Sequence, residues 1–239
     1  MNLSATKLLT VLSRSKKRDA VHSIKTMHTL AMLVAIAAPY VASTATAFED
    51  LNEPQTLIYD TSHLVQTNAG TTIAYDYAYI DNTTDIKIED QVFLSIKKEH
   101  ENAHRDVSLS FLTAERKLHL PDFNKRRGNP VIIGMLEHLA QAMGTETGGG
   151  ALYFRNRIKD KLADENLEVI QTGDKSEFSF SPFVNDPYVA DRVALTESVI
   201  TIAFSNEVPG QLLSIEYVSG PSNNPEATRK LEFSGVNQE

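Results

Sequence analysis

Two periodicities divide the chain. From Thr71 to Asp81 the residues alternate, with Ile73, Tyr75, Tyr77 and Tyr79 on one face and Ala74, Asp76, Ala78 and Ile80 on the other, which predicts a strand. Ile88 to Lys97 and Arg105 to Thr113 repeat the pattern through Val92, Leu94, Ile96, Val107, Leu109 and Phe111. The second run continues or bends into Arg116 to Leu120 and stops at Pro121. Thr56 to Asp60 also reads as a strand, and Asp81 to Thr84 as a turn. Further along, Leu167 to Gln171 and Glu177 to Ser181 flank a turn at Thr172 to Lys175, with Phe178 and Phe180 sharing a face. Leu195 to Ser205 and Gln211 to Val218 predict a hairpin turning at Pro209-Gly210.

Between the two groups of strands the period changes to that of a helix. Asn129 is a good N-cap and Pro130 fits the first helical position. Ile132, Met135, Leu136, Leu139, Ala140 and Met143 then form one apolar stripe, with Glu137, His138 and Gln141 on the wetter side and Gly144 as the expected C-cap. Gly134 inside this helix costs about 1 kcal/mol relative to alanine, so close packing on the sheet is its expected reason. After Gly148-Gly149-Gly150, a second helix places Ala151, Phe154, Ile158 and Leu162 on its apolar side. The expected architecture is α+β: a curved, mostly antiparallel sheet, open or a half-barrel, with an inserted two-helix hairpin over residues 129–163 covering one face. Asp122 to Asn129 and Pro182 to Asp191 read as loops. The tail over 221–239 reads as loosely held, with Lys230 to Phe233 able to add a short edge strand.

The first 47 residues change the picture, because they have the three parts of a secretory signal. Six basic residues face a single acid, Asp19; Leu30 to Val41 is an apolar run too short to span a bilayer comfortably; and Ala45-Thr46-Ala47 offers a cleavage point that starts the mature chain at Phe48. An uncleaved anchor and an organellar transit peptide are the alternatives, and Met27 is an alternative start. Export to the periplasm or beyond is therefore expected, with no membrane span in the mature chain. Without the leader, 17 basic residues face 30 acidic ones, a formal charge of −13, and phosphate backbones demand the opposite balance. Nucleic acid is not an expected partner. The chain has no cysteine, which excludes disulfides, thiol catalysis and thiolate metal sites.

His100-Glu101-Asn102-Ala103-His104 matches the spacing in which two histidines bind zinc and the glutamate between them activates water. That chemistry needs a helix to bring both imidazoles to one face. Here the segment joins two alternating runs and is surrounded by Lys97, Lys98, Glu99, Arg105 and Asp106, so it reads as a solvated hairpin loop. A third ligand from Glu115, His119, Glu137 or His138 has no identifying spacing. Thr145 to Gly150 lacks the preceding strand and the lysine of a phosphate loop and reads as an interhelix connection. No cofactor is implied. Two basic clusters stand out in an acidic chain: Lys125-Arg126-Arg127 before the first helix, and Arg155 with Arg157 on the second. The row containing Tyr75 and Tyr77 reads either as the lining of an apolar ligand pocket or as a half-buried sheet face.

Tyr59-Asp60-Thr61, Ala69-Gly70-Thr71-Thr72, Glu115 to Pro121, Gly128-Asn129-Pro130-Val131, Thr147 to Ile158 and Val208-Pro209-Gly210 resemble the landmarks of a group of uncharacterised exported proteobacterial proteins. The resemblance covers most of the mature chain and implies export, but brings no assigned site residues. The expected architecture is also similar to that of lipoprotein-localisation-type carrier domains, a likeness of form alone. Three functions follow as expectations. The first is a non-catalytic envelope binding or carrier protein for an amphiphilic or anionic ligand, with Tyr75, Tyr77, Phe178 and Phe180 lining a hollow bordered by Arg126, Arg127, Arg155 and Arg157. The second is an envelope interaction or assembly factor with a protein partner. The third is a zinc hydrolase using His100, Glu101 and His104.

Overall fold

The structure is a computed structural model and describes residues 50–118 and 120–238. The leader and its cleavage point lie outside them. The fold is α+β, built on one open antiparallel sheet of nine strands with the order β4-β3-β2-β1-β9-β8-β7-β6-β5. The first meander comprises β1 (Thr71–Asp81), β2 (Ile86–Glu99), β3 (Arg105–Phe111) and β4 (Phe123–Arg126). The second comprises β5 (Ile170–Thr172), β6 (Lys175–Phe180), β7 (Val199–Ser205), β8 (Leu212–Ser219) and β9 (Ala227–Gln238). The two join where β1 pairs antiparallel with β9, from Thr71 opposite Gln238 to Asp81 opposite Ala227. No helix among the described residues is long and apolar enough to cross a membrane.

The alternating residues pack as their period requires. Ile73, Tyr75, Tyr77, Val92, Leu94, Ile96, Val107 and Phe111 are buried on one face, beneath the helical hairpin. The first helix of that hairpin, here α2 (Pro130–Thr147), lies over β3 and β8, and α3 (Ala151–Leu162) packs against it. Phe154, Ile158 and Leu162 supply the buried stripe of α3. A Cβ on Gly134 would lie 3.1 Å from the Phe111 ring, so the missing side chain is what lets α2 settle onto β3. The opposite sheet face is polar, with Thr72 bonded to Ser95 and Ser179 to Thr201 across neighbouring strands.

Several expectations are corrected. Thr56 to Tyr59 belongs to a helix, α1 (Glu53–Tyr59), with Asp60 as its C-cap, rather than to a strand. Asn52 accepts from the Gln55 amide while the Gln55 side chain accepts from the Asn52 amide, and this capping box with Pro54 in the first turn starts the helix. Arg116 to Leu120 does not extend β3: a 3-10 turn at Ala114–Arg116 intervenes, and Leu118 makes a single bridge to Phe111. The expected loop at Asp122 to Asn129 contains the edge strand β4. The helix α2 runs past Gly144 to a left-handed C-cap at Gly148, φ 69°. Gly144 is buried, and a Cβ there would come within 3.0 Å of the Ala151 amide, so its role is to let α3 begin close by. The short α4 (Val193–Thr196) precedes β7, where a continuous strand from Leu195 was expected.

The largest correction concerns the C-terminal segment. The described part of the expected tail, 221–238, is not a loose segment with a short edge strand. It contains β9, twelve residues long and the middle strand of the nine. Its residue Arg229 is only 5% exposed, ion-paired with Glu146 of α2 and stacked 4.2 Å over the Tyr79 ring.

Candidate functional site: a groove at the start of the hairpin

Asn129 organises the junction between helix and sheet. Its Oδ1 accepts from the Val131 amide at 3.0 Å, and its Nδ2 donates to the Tyr75 hydroxyl at 2.8 Å and to the Gly210 carbonyl at 2.9 Å. Its backbone amide donates to His63 Nδ1 at 3.1 Å, and the His63 ring is fully buried and stacked on Phe204. Burial holds His63 down at about 4, so it is neutral and able to accept. Gly210 has φ 78°, and a Cβ there would come within 2.9 Å of Ile73 and 3.0 Å of Asn129. The chain therefore leaves β4 and enters α2 along a fixed path.

Outside that junction lies a groove of about 640 Å³. One wall is α2 from Pro130 through Ile133 and Gly134, and the other is formed by Leu118, Leu120, Pro121 and β4. Tyr59 and Asp60 at the end of α1 and His104 complete its border. Leu118, Leu120 and Phe123 are half-buried against the core, while Tyr59 is 44% and Ile133 47% exposed, so apolar surface lies open to water here.

Lys125, Arg126 and Arg127 line the same groove and are exposed. The Arg126 guanidinium sits 5.6 Å over the Phe123 ring, and Arg127 Nε donates to Ser62 Oγ at 2.8 Å. Among the described residues no carboxylate lies within ion-pair distance of these three side chains. Lys125 is held by its backbone instead: its amide donates to Asp106 at 2.9 Å. That bond first, and His100 second, keep the Asp106 carboxyl below its usual range.

The second basic cluster is arranged differently. Arg155 ion-pairs with Glu137, its Nε donating at 2.6 Å, and this hydrogen bond is the main reason the Glu137 carboxyl titrates below its usual range. Arg157 lies 2.8 Å from Asp186 and 5.5 Å over the Tyr153 ring. Neither arginine lines the groove, although Glu137 does. The structure thus brings Arg126 and Arg127 together and leaves Arg155 and Arg157 tying α3 to its neighbours.

Tyr75, Tyr77, Phe178 and Phe180 do not border this groove; all four are packed in the core, at 4% exposure or less. Burial raises the titration range of both tyrosines, Tyr77 to about 12. The Tyr77 hydroxyl is 3.0 Å from His138 Nε2. His138, expected on the wet side of α2, in fact faces Tyr77 and Phe111, and burial is the main influence lowering it to about 4.

The His100 to His104 segment is a loop between β2 and β3. His100 Nε2 contacts Asp106 at 2.8 Å, whereas His104 Nδ1 donates to the Glu101 carbonyl at 3.1 Å. The two imidazoles are committed to different partners, and among the described residues no group of three His, Asp or Glu side chains is gathered for a metal. His119 lies outside the described residues.

Sequence reasoning singled out the cations but missed Tyr59, Asp60, Leu118, Leu120 and Ile133. Ile133 carried a usable signal, since it lies off the apolar stripe of α2 and so predicts exposed hydrophobic surface. Comparison with protein-family models and with curated proteins finds no match to the chain.

Proposed function

We propose that the chain is an exported, non-catalytic envelope protein that binds an amphiphilic or anionic ligand in the groove beside the start of α2. Export rests on the leader over 1–47. The observation that supports binding is the pairing of Lys125, Arg126 and Arg127, which lack carboxylate partners among the described residues, with the open apolar surface of Tyr59 and Ile133. In a mature chain of formal charge −13, three adjacent cations without ion-pair partners among the described residues form a local positive patch that favours an anionic group. The groove also falls in the size range of small-molecule sites, about 300–1,000 Å³.

Native mass spectrometry of protein purified from envelopes tests this reading. Wild-type protein is expected to carry a small ligand that the Arg126→Glu/Arg127→Glu double variant lacks. Equal ligand content in the two proteins, or none in wild type together with no response of groove resonances to added anions or amphiphiles, overturns it.

A further inference from the structure

Resting on that binding reading, we infer that the ligand is a single-chain anionic amphiphile, held with its tail in the groove and its head at the Lys125 to Arg127 rim. Three observations lead there. The space, about 640 Å³, holds one small molecule or one long acyl chain, and a two-chain lipid exceeds it. Its apolar contacts come from both walls, Leu118 and Leu120 on one and Ile133 on the other, so a narrow chain between them loses water on two sides.

The third observation concerns the anion. The start of α2 borders the groove, but its backbone donors are occupied: the Asn129 amide by His63, the Val131 amide by Asn129 Oδ1 and the Ile132 amide by the Asn129 carbonyl, while Pro130 has none. No backbone donor is left at the start of α2 for a small anion. The head must instead be met by exposed, hydrated side chains, whose ion pairs contribute little by themselves. Affinity then depends on the chain, each buried methylene tightening binding by up to about fourfold. Orientation follows from charge: Arg155 neutralises Glu137 along α2, whereas at the β4 end three cations line the groove, with Asp60 in the lining and Asp106 bound to the Lys125 amide.

Calorimetric titration of the full mature chain with straight-chain carboxylates of increasing length, below their critical micelle concentrations, tests the inference. Inorganic phosphate, acetate, an uncharged monoacylglycerol and phosphatidylglycerol vesicles serve as the other arms. Expected are one-to-one binding, affinity rising up to about fourfold per methylene to a plateau, and no binding of phosphate or acetate. Charge reversal at Arg126 and Arg127 weakens the long carboxylate at least tenfold but leaves the monoacylglycerol unchanged. Ile133→Asp, at a half-exposed position that leaves the fold intact, flattens the dependence on length.

Phosphate or acetate binding as tightly as the long carboxylate overturns the amphiphile class while leaving an anion-binding function standing. Binding to vesicles but to no monomeric amphiphile overturns it in favour of a membrane surface. Absence of binding in every arm removes both the inference and the function proposed above.

Discussion

Asn129 Nδ2 donates to the Tyr75 hydroxyl at 2.8 Å, and this buried bond fastens the first turn of the hairpin to the strand that pairs with the middle of the sheet. The same side chain caps α2 and satisfies the Gly210 carbonyl. Asn129→Ala removes all three bonds and is expected to destabilise the protein by about 2–4 kcal/mol. Tyr75→Phe removes one, leaves Gly210 satisfied, and should cost about 1 kcal/mol. Urea denaturation of the two variants gives the comparison, and equal losses would mean that Asn129 acts only through Tyr75.

The contact between Gly134 and Phe111 sets the approach of α2 to β3. Alanine is the better helix former by about 1 kcal/mol, so an open site would gain stability from Gly134→Ala. Here the new Cβ meets a fully buried ring at 3.1 Å, hemmed in by His138. A net loss of about 1–2 kcal/mol is expected. A raised melting temperature would show that Phe111 has room to yield.

One buried histidine and one partly buried one give the fold a pH dependence of known sign. His63 and His138 are each held at about 4, below the ordinary 6.5, chiefly by burial. As pH falls below 6.5 the unfolded chain takes up these protons while the folded chain does not. Stability is therefore fully present above about pH 7 and lost progressively toward pH 4, on the order of 3 kcal/mol for each histidine across that window. Urea midpoints measured at pH 7.5 and 5 should fall accordingly. His138→Phe should reduce the difference by roughly half, and an unchanged difference would assign the pH dependence to other groups.

The central position of β9 predicts what truncation does. Ending the chain at Gly220 strips the hydrogen-bonding partner from both β1 and β8 and removes Arg229 from Glu146. The truncated chain is expected to lose cooperative unfolding altogether, as read by circular dichroism during a thermal scan. Retention of a sharp transition would restore the view of this segment as dispensable.

Charge reversal at Arg126 and Arg127 should act on binding and not on folding. Both side chains are exposed and neither has a carboxylate partner among the described residues. The double variant is expected to keep its melting transition, with stability within about 0.5 kcal/mol of wild type. A loss above 2 kcal/mol would place these arginines in the structural framework instead.

Much of the architecture follows from local pattern. Strict alternation placed Tyr75 and Tyr77 on the buried face of a strand with its observed limits, Thr71 and Asp81. An N-cap, a proline and a glycine run marked the helical hairpin, because each acts on the backbone within a few residues. The Asn52 and Gln55 capping box was equally readable and identifies α1, although the apolar residues between Thr56 and Asp60 suggest a strand.

What the sequence by itself determined is the alternation that builds the sheet, the helical hairpin inserted in it and the scarcity of positive charge that makes Lys125 to Arg127 conspicuous. Only the tertiary structure decided that Arg155 and Arg157 are spent on Glu137 and Asp186 while Arg126 and Arg127 flank a groove, since ion pairs form between residues far apart in the chain. It also decided that β9, in which Thr228, Arg229, Lys230 and Glu232 are polar, is the middle strand, because Arg229 becomes compatible with burial only when β1 supplies Tyr79 and α2 supplies Glu146. Local sequence carries backbone preference and amphipathic period, but a polar residue's partner is chosen by the folded chain.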